Sequence, residues 1–247
     1  MSDIKLTPEI IMTVEEALEQ EQKKEQARLQ IVLGHVQRGV QFVDWKQAYI
    51  DETVTIGRGT TIGPGVILEG NTSIGEQCVI GQNCRIVDST IGNGTEVQSS
   101  VILESRVGSE TKVGPFAYLR PKSVIGDHCK VGDFVEVKNS TMGDGAKASH
   151  LTYIGDSDVG KNVNLGCGVV FVNYDGTNKH RSVVKDGSFI GCNTNLVSPV
   201  VVGEGAYVAA GATLTKDVPD GALAVARAKQ TNIEGWVEKR GLLKKKK

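Results

Sequence analysis

Residues 107–136 read VGSETK, VGPFAY, LRPKSV, IGDHCK and VGDFVE, five hexamers without a gap. Each starts on an aliphatic residue, most often followed by Gly. Two polar or turn residues come next, and a small residue or Val stands fifth. The frame continues on both sides. IGRGTT at 56, IGPGVI at 62, IGEQCV at 74, IGQNCR at 80 and IGNGTE at 91 precede it, and LGCGVV at 165, IGCNTN at 190 and VGEGAY at 202 follow. Six residues are too few to show the 3.6-residue period of a helix, but they suit a short strand and a corner. The aliphatic residue points inward, the fifth residue fills the remaining interior, and Gly, Asn or Asp permits the positive φ of a tight corner. Three units close a triangular coil of about 18 residues, and stacked coils pair their strands in parallel about 4.8 Å apart. From about residue 54 to 214, less one insertion, this predicts roughly eight or nine coils.

The rest of the composition agrees with a repetitive all-β architecture. Gly accounts for 30 of 247 residues, aromatic residues for only 5%, and there are 6 Pro. Lys+Arg 28 against Asp+Glu 29 leaves a net charge of -1, so no overall basic field favours nucleic acid. No apolar run approaches the roughly 20 residues of a membrane helix, and the N-terminus lacks a signal peptide's apolar centre. A cytoplasmic protein is expected. Five cysteines without a CxxC spacing argue against a disulfide framework or a zinc ribbon. Cys78, Cys84 and Cys129 occupy the fifth, inward position, as small hydrophobes. Cys167 and Cys192 occupy the third position of their units, a corner.

Outside the repeat, residues 7–33 predict a helix that starts at Thr7-Pro8-Glu9 and ends at Gly34 or Gly39. VNYDGTNKHRSV, before Val184, is too long for one unit and must leave the coil as a loop. KDVPDG, after Leu214, reads as a turn, and the final lysines as a tail. The expected organisation is a helical linker over 1–48, the repeat domain over 49–217, and a C-terminal arm over 218–247.

Aligning coils on the frame produces columns. Turns that begin at Val113, Val131, Ala148, Leu165, Ile190 and Val208 have Pro115, Asp133, His150, Cys167, Cys192 and Ala210 as third residues. His150 is the imidazole of that column, and the smaller residues beyond it leave a shallow groove for a long thin ligand. Round the corner, Arg120 and Lys138 are 18 residues apart, one coil. Like charges stacked so closely are unfavourable alone, and a bound phosphate would relieve them. Glu136 and Tyr153 stack beside that pair.

The repeat resembles that of the hexapeptide-repeat acyltransferases, which implies a left-handed parallel β-helix. LRPKSVIGDHCKVGDFVEVKNSTMGDGAKASHLTYIGD, VNLGCGVVFVNYDGTNKHRSVV, FIGCNTNLVSPVVVG and ARAKQTNIEGW narrow the likeness. Over about residues 30–240 the chain resembles the C-terminal acetyltransferase domain of bacterial bifunctional N-acetylglucosamine-1-phosphate uridyltransferase/glucosamine-1-phosphate N-acetyltransferases. No nucleotide loop like that of their pyrophosphorylase domain occurs, so uridyl transfer is not expected. The resemblance implies an N-acetyltransferase moving acetyl from acetyl-CoA to glucosamine-1-phosphate. It implies His150 as base, with Glu136 orienting or polarising it. Arg120, Lys138, Tyr153 and Asn164 match the sugar-phosphate site. Cys167, Asn173, Tyr174, Lys179, Cys192, Ala210 and Arg227 match the acetyl-CoA site, where the family usually has Ala and Ser in place of Cys167 and Cys192. It further implies a homotrimer, with the 172–183 loop and the C-terminal arm reaching a neighbour.

The chemistry agrees. A sugar amine must lose a proton to attack a thioester, and an imidazole suits a base at neutral pH. Two competing readings are an inactive trimer serving as a binding module and a zinc-dependent carbonic anhydrase of the same fold. The latter needs three clustered histidines. His35, His128, His150 and His180 are instead assigned to the helix, another corner, the column and the loop.

Overall fold

The computed structural model describes residues 12–242. A helix, α1 (Val14–Gln37), precedes a parallel β-solenoid of about 10 turns. Its three faces are parallel sheets of 11, 10 and 9 strands, each strand hydrogen-bonded to the one a full coil away. That is more than the eight or nine coils expected. The additional strands lie outside the regular frame, at Gln41–Phe42 and Tyr49–Ile50 before it and at Leu223–Ala224 after it. Their sequences lack the aliphatic-Gly pair, but they pair with Thr61–Ile62, Ile67–Leu68 and Tyr207–Val208.

Inward aliphatic residues form a single column of core. Ile62, Leu68, Ile80, Ile86, Ile102, Leu119, Ile154 and Ile190 are all fully buried, each worth about 1.5–3 kcal/mol of burial. Cys78, Cys84 and Cys129 are buried among them as expected. Buried hydroxyls occupy other inward positions and are satisfied from coil to coil. Ser89 Oγ accepts from Ser105 N at 3.0 Å, and Ser140 Oγ accepts from Ser157 N at 2.9 Å.

The glycines of the repeat divide into two kinds. The Gly after the aliphatic residue is required by close stacking: a Cβ on Gly57 would lie 2.5 Å from the Glu76 amide nitrogen of the next coil. The positive φ belongs to the fourth residue, Gly59 in the same unit (φ 76). In other coils that position is held by residues not expected there, including Phe134 (φ 54) and Leu151 (φ 47). Left-handed backbone costs an ordinary residue roughly 1–2 kcal/mol. The pairing of the strands on either side of the corner holds it there.

The helix ends just before Gly39, one of the two expected stops. Its predicted start at Thr7 lies outside the described residues. Thr13 is the N-cap, in a capping box with Glu16. The helix runs through Gly34 and stops before Gly39 (φ 90). The glycine costs about 1 kcal/mol, offset by burial of Val32 and His35 on either side of it. Burial, helped by Arg38, lowers the His35 pKa to about 4, so the ring is neutral. Arg28 ties the helix to the first coil by donating to the Ala48 carbonyl at 2.8 Å. Among the described residues no helix is long and apolar enough to cross a membrane.

Candidate active site

The corner column exists in the expected register. Val113 pairs with Val131, Val131 with Ala148, Ala148 with Leu165, Leu165 with Ile190, and Ile190 with Val208. Asp133 is directly paired with His150. Their side chains meet: His150 Nδ1 lies 2.6 Å from Asp133 Oδ1. The imidazole holds the Asp133 carboxyl below the usual carboxylate range. An ionised Asp133 accepts from Nδ1–H, which leaves Nε2 as the ring nitrogen available to act as a base.

Glu136 therefore does not hold the imidazole within this chain. It accepts from Arg120 Nη1 at 2.8 Å. The carboxylate on His150 is Asp133, which sequence reasoning placed in the column without giving it a role. The register contained the signal, since residues one coil apart in a column share a face and touch.

The second cluster lies round the corner, on the 10-stranded sheet. Tyr118 pairs with Glu136 and Leu119 with Val137, which sets Arg120 beside Lys138. Glu136 pairs with Tyr153 and Lys138 with Gly155, as the columns predict. The stacked cations are each met by a carboxylate of this chain. Lys138 Nζ donates to Asp156 Oδ2 at 2.9 Å, with side chains only 17% and 9% exposed. Asp156 also accepts from Asn139 Nδ2 at 2.6 Å and from Asn173 Nδ2 at 2.5 Å. Burial pushes the Asp156 carboxyl up, but its three donors outweigh that and hold it below the ordinary range. Asp156 is the second residue of the candidate site that sequence reading missed. It follows Gly155 at the corner, one position beyond the residue paired with Lys138, so the columns gave no cue to it.

The 172–183 insertion folds onto this cluster. Tyr174 and Lys179 form an antiparallel bridge, and Asp175 accepts from Thr177 N, Asn178 N and His180 Nε2. These three donors bring the Asp175 pKa down to about 2. The loop delivers Lys179 next to Lys138. The Lys138 ammonium, and more weakly Arg120, holds Lys179 below the ordinary lysine value. Lys179 and Asn173, assigned with the cofactor positions, thus stand with the Arg120–Lys138 group within this chain. The Tyr153 ring lies over Gly155, where a Cβ would come within 2.6 Å of Cζ. Its hydroxyl faces Asn173 Nδ2 at 3.5 Å.

The other positions lie along the groove. Cys167 is half-buried and Cys192 exposed, and the two are in register because Leu165 pairs with Ile190. A Cβ on Gly166 would sit 2.6 Å from Cys192 N, which shows how closely these coils stack. Ala210 ends the row. Arg227 arrives there on the C-terminal arm of the same chain, its Cδ 3.9 Å from where a Gly211 Cβ would be. Tyr174 is exposed, with its hydroxyl donating to the Gly176 carbonyl at 2.6 Å. Asn164 pairs with Lys147 and Phe189 on the 11-stranded sheet, across the corner from Arg120 and Lys138.

This geometry can be set beside known proteins. A bacterial transferase hexapeptide (six repeats) model matches residues 104–139 and 181–216, and a GMPPB C-terminal domain model matches 46–120. The chain is 60% identical over 214 residues to the bifunctional protein GlmU of Clostridium beijerinckii, which covers 87% of this chain and 47% of that protein. It is 53% identical over 237 residues to the GlmU of Alkaliphilus metalliredigens, covering 96% and 52%. The chain is a hexapeptide-repeat protein similar to the C-terminal part of GlmU. It spans about half the length of the GlmU relatives it matches. A crystal structure of Arabidopsis UDP-N-acetylglucosamine acyltransferase shares the fold, with a TM-score of 0.64 at 17% identity over 80% of this chain and 76% of that one.

The candidate site lies on a corner and an open sheet face. A cleft of about 510 Å³ lies elsewhere, between α1 and the first coils, lined by Arg28, Tyr49 and Glu69 among others.

Proposed function

We propose that this chain transfers acetyl from acetyl-CoA to the amine of glucosamine-1-phosphate. The product, N-acetylglucosamine-1-phosphate, would feed UDP-N-acetylglucosamine and cell-wall precursor synthesis. The observation that carries the reading is the Asp133–His150 pair, on a corner adjoining three clustered cations. His150 Nε2 removes the amine proton, and Asp133 fixes the ring and stabilises the imidazolium that forms. Arg120, Lys138 and Lys179 receive the sugar phosphate. Glu136 and Asp156 pair with the first two and fix their positions. The row Cys167, Cys192, Ala210 and Arg227 takes the acetyl-CoA arm, with Tyr174 and Asn164 closing the site from the loop and the neighbouring sheet. Identity to two GlmU proteins across most of this chain supports the donor and the acceptor class. A cytoplasmic setting fits a reaction that draws on acetyl-CoA.

A groove on a convex corner covers too little of a ligand, since small-molecule sites bury most of theirs. The missing walls come, in this reading, from two further copies in a three-fold assembly. An exposed apolar row, Phe116, Phe134 and Leu151, runs immediately beside Asp133 and His150. Its two phenyl rings stack at 5.5 Å, and such a row is suited to burial against a neighbour.

The test is release of CoA thiol from acetyl-CoA with glucosamine-1-phosphate or glucosamine as acceptor. Turnover with the phosphorylated sugar and little with the other is expected. Equal use of both removes the phosphate site, and no turnover with either favours the inactive binding module. Sedimentation at assay concentration should show a trimer, and a fully active monomer would refute the shared site.

A further inference from the structure

Among the described residues two pairs of aromatic rings stack. Phe116 and Phe134 belong to the corner row suited to burial against a neighbour. Phe189 and Tyr207 stand apart from that row, on the 11-stranded sheet. Their ring centroids are 5.3 Å apart, with planes 21° from parallel, and the residues are 40% and 56% exposed. Register fixes the pair. Asn164 pairs with Phe189, Phe189 with Tyr207, and Tyr207 with Leu223. Leu223 is exposed as well, so an aromatic and apolar wall crosses three successive strands of this sheet.

The wall stands beside the row assigned to the donor. Phe189 precedes Cys192 by three residues, and Tyr207 precedes Ala210 by three. Ile190 and Val208 are buried, and Gly191 and Ala209 follow them, so no long side chain separates the rings from the row. Arg227 arrives at the same level, its Cδ 3.9 Å from where a Gly211 Cβ would be. The lengths agree. From His150 through Cys167 and Cys192 to Ala210 is three coils, about 14 Å. The pantetheine arm of CoA, from sulfur to the first phosphate, has about 13 bonds and spans roughly 16 Å at the reach per bond of an extended peptide. A thioester held at His150 therefore sets the diphosphate near Arg227 and the nucleoside at the level of Tyr207.

We infer that the Phe189–Tyr207 wall is the purine subsite of the donor: the adenine of acetyl-CoA lies against Tyr207, which Phe189 supports from the coil below. The inference rests on the acetyl-CoA reading above and adds to it the residues that prefer a nucleotide-bearing thioester to a short one. Aromatic side chains hold bases by stacking, and covering exposed rings removes apolar surface from water.

The experiment compares acetyl-CoA with S-acetylpantetheine, which has the same reacting end and no nucleotide, as donors to glucosamine-1-phosphate. Steady-state kinetics are run on the wild type, Tyr207→Ala and Tyr207→Phe, and binding of adenosine 3′,5′-bisphosphate is measured by calorimetry. Tyr207→Ala should raise KM for acetyl-CoA about 5- to 100-fold, the range for losing one base–aromatic contact. It should weaken the bisphosphate by a similar factor and leave KM for S-acetylpantetheine unchanged. Tyr207→Phe keeps the ring and should restore the wild-type KM for acetyl-CoA. An unchanged KM for acetyl-CoA in Tyr207→Ala, beside an active wild type, overturns this inference and leaves the proposed function standing. An equal loss with both donors does the same, since that is what a merely structural ring gives. Loss of assembly by Tyr207→Ala in sedimentation assigns the rings to an interface between copies and also overturns it. If the wild type does not turn over acetyl-CoA, the acetyl-CoA reading fails, and this inference falls with it.

Discussion

Replacing Asp156 by Ala should be among the most damaging single changes near the site. The carboxylate accepts from Lys138 at 2.9 Å, Asn139 at 2.6 Å and Asn173 at 2.5 Å. Removing it strands three donors in a nearly closed space, and each unsatisfied buried group costs about 1–3 kcal/mol. Breaking a buried charge pair by deleting one partner costs about 3–5 kcal/mol. Lys138 retains 17% side-chain exposure, so water can reach its ammonium, and the lower part of that range, about 3–4 kcal/mol, applies. For a chain of this size the loss corresponds to a melting temperature lower by roughly 6–16 °C. The measurement is thermal denaturation at fixed chain concentration, because assembly adds its own term. Hydrogen exchange should localise part of the effect. His180 N donates to the Asn173 carbonyl at 2.8 Å, and that amide should lose protection once Asn173 loses its anchor. Asp156→Asn keeps an acceptor and should lose roughly half as much. The pH dependence has a defined sign. The folded carboxyl titrates below its unfolded value of about 3.9, so its contribution is complete above that value and disappears as pH falls through the folded pKa. The Asn variant should accordingly show a shallower loss of stability in acid than wild type. A melting temperature for Asp156→Ala within about 1 °C of wild type would refute the account of this cluster.

Four further outcomes follow from the same geometry. His150→Ala should lower kcat by about 10²–10⁴-fold while acetyl-CoA still binds, and wild-type turnover would remove it as the base. Asp133→Asn should lower kcat by about 10- to 100-fold with KM for the sugar little changed, a smaller loss than removing the base itself. Glu136→Gln should act mainly on sugar-phosphate KM by freeing Arg120, and the reverse pattern in steady-state kinetics would reinstate Glu136 as the partner of His150. Gly166→Ala should destabilise by about 1–3 kcal/mol, because its Cβ would lie 2.6 Å from Cys192 N. Unchanged thermal stability would show that these coils can separate freely.

The hexamer frame by itself determined the coil, the inward residues and the vertical register. In a solenoid a residue's neighbours are set by sequence distance, so a period read along the chain becomes adjacency in space. That is why Asp133, His150, Cys167, Cys192 and Ala210 could be stacked from sequence, and why Arg120 and Lys138 came out side by side. What the frame does not encode is which side-chain ends meet, and which coils lie beyond the regular repeat. Stacking predicted that two cations needed an anion between them. The structure instead gives each its own carboxylate, Glu136 from the neighbouring column and Asp156 from the next corner. The same competition decided the partner of His150. Asp133 ends one strand and Glu136 begins the next, three residues on across a corner, and only the direction in which each side chain leaves the backbone assigns one to the imidazole and the other to Arg120. The insertion was legible as a loop but not as a path, since it follows no period. Its own turn, held by Asp175, and its anchor, Asn173 on Asp156, are tertiary choices that bring Lys179 to Lys138. Local repetition set the scaffold, and the non-repeating contacts at its corners set the site.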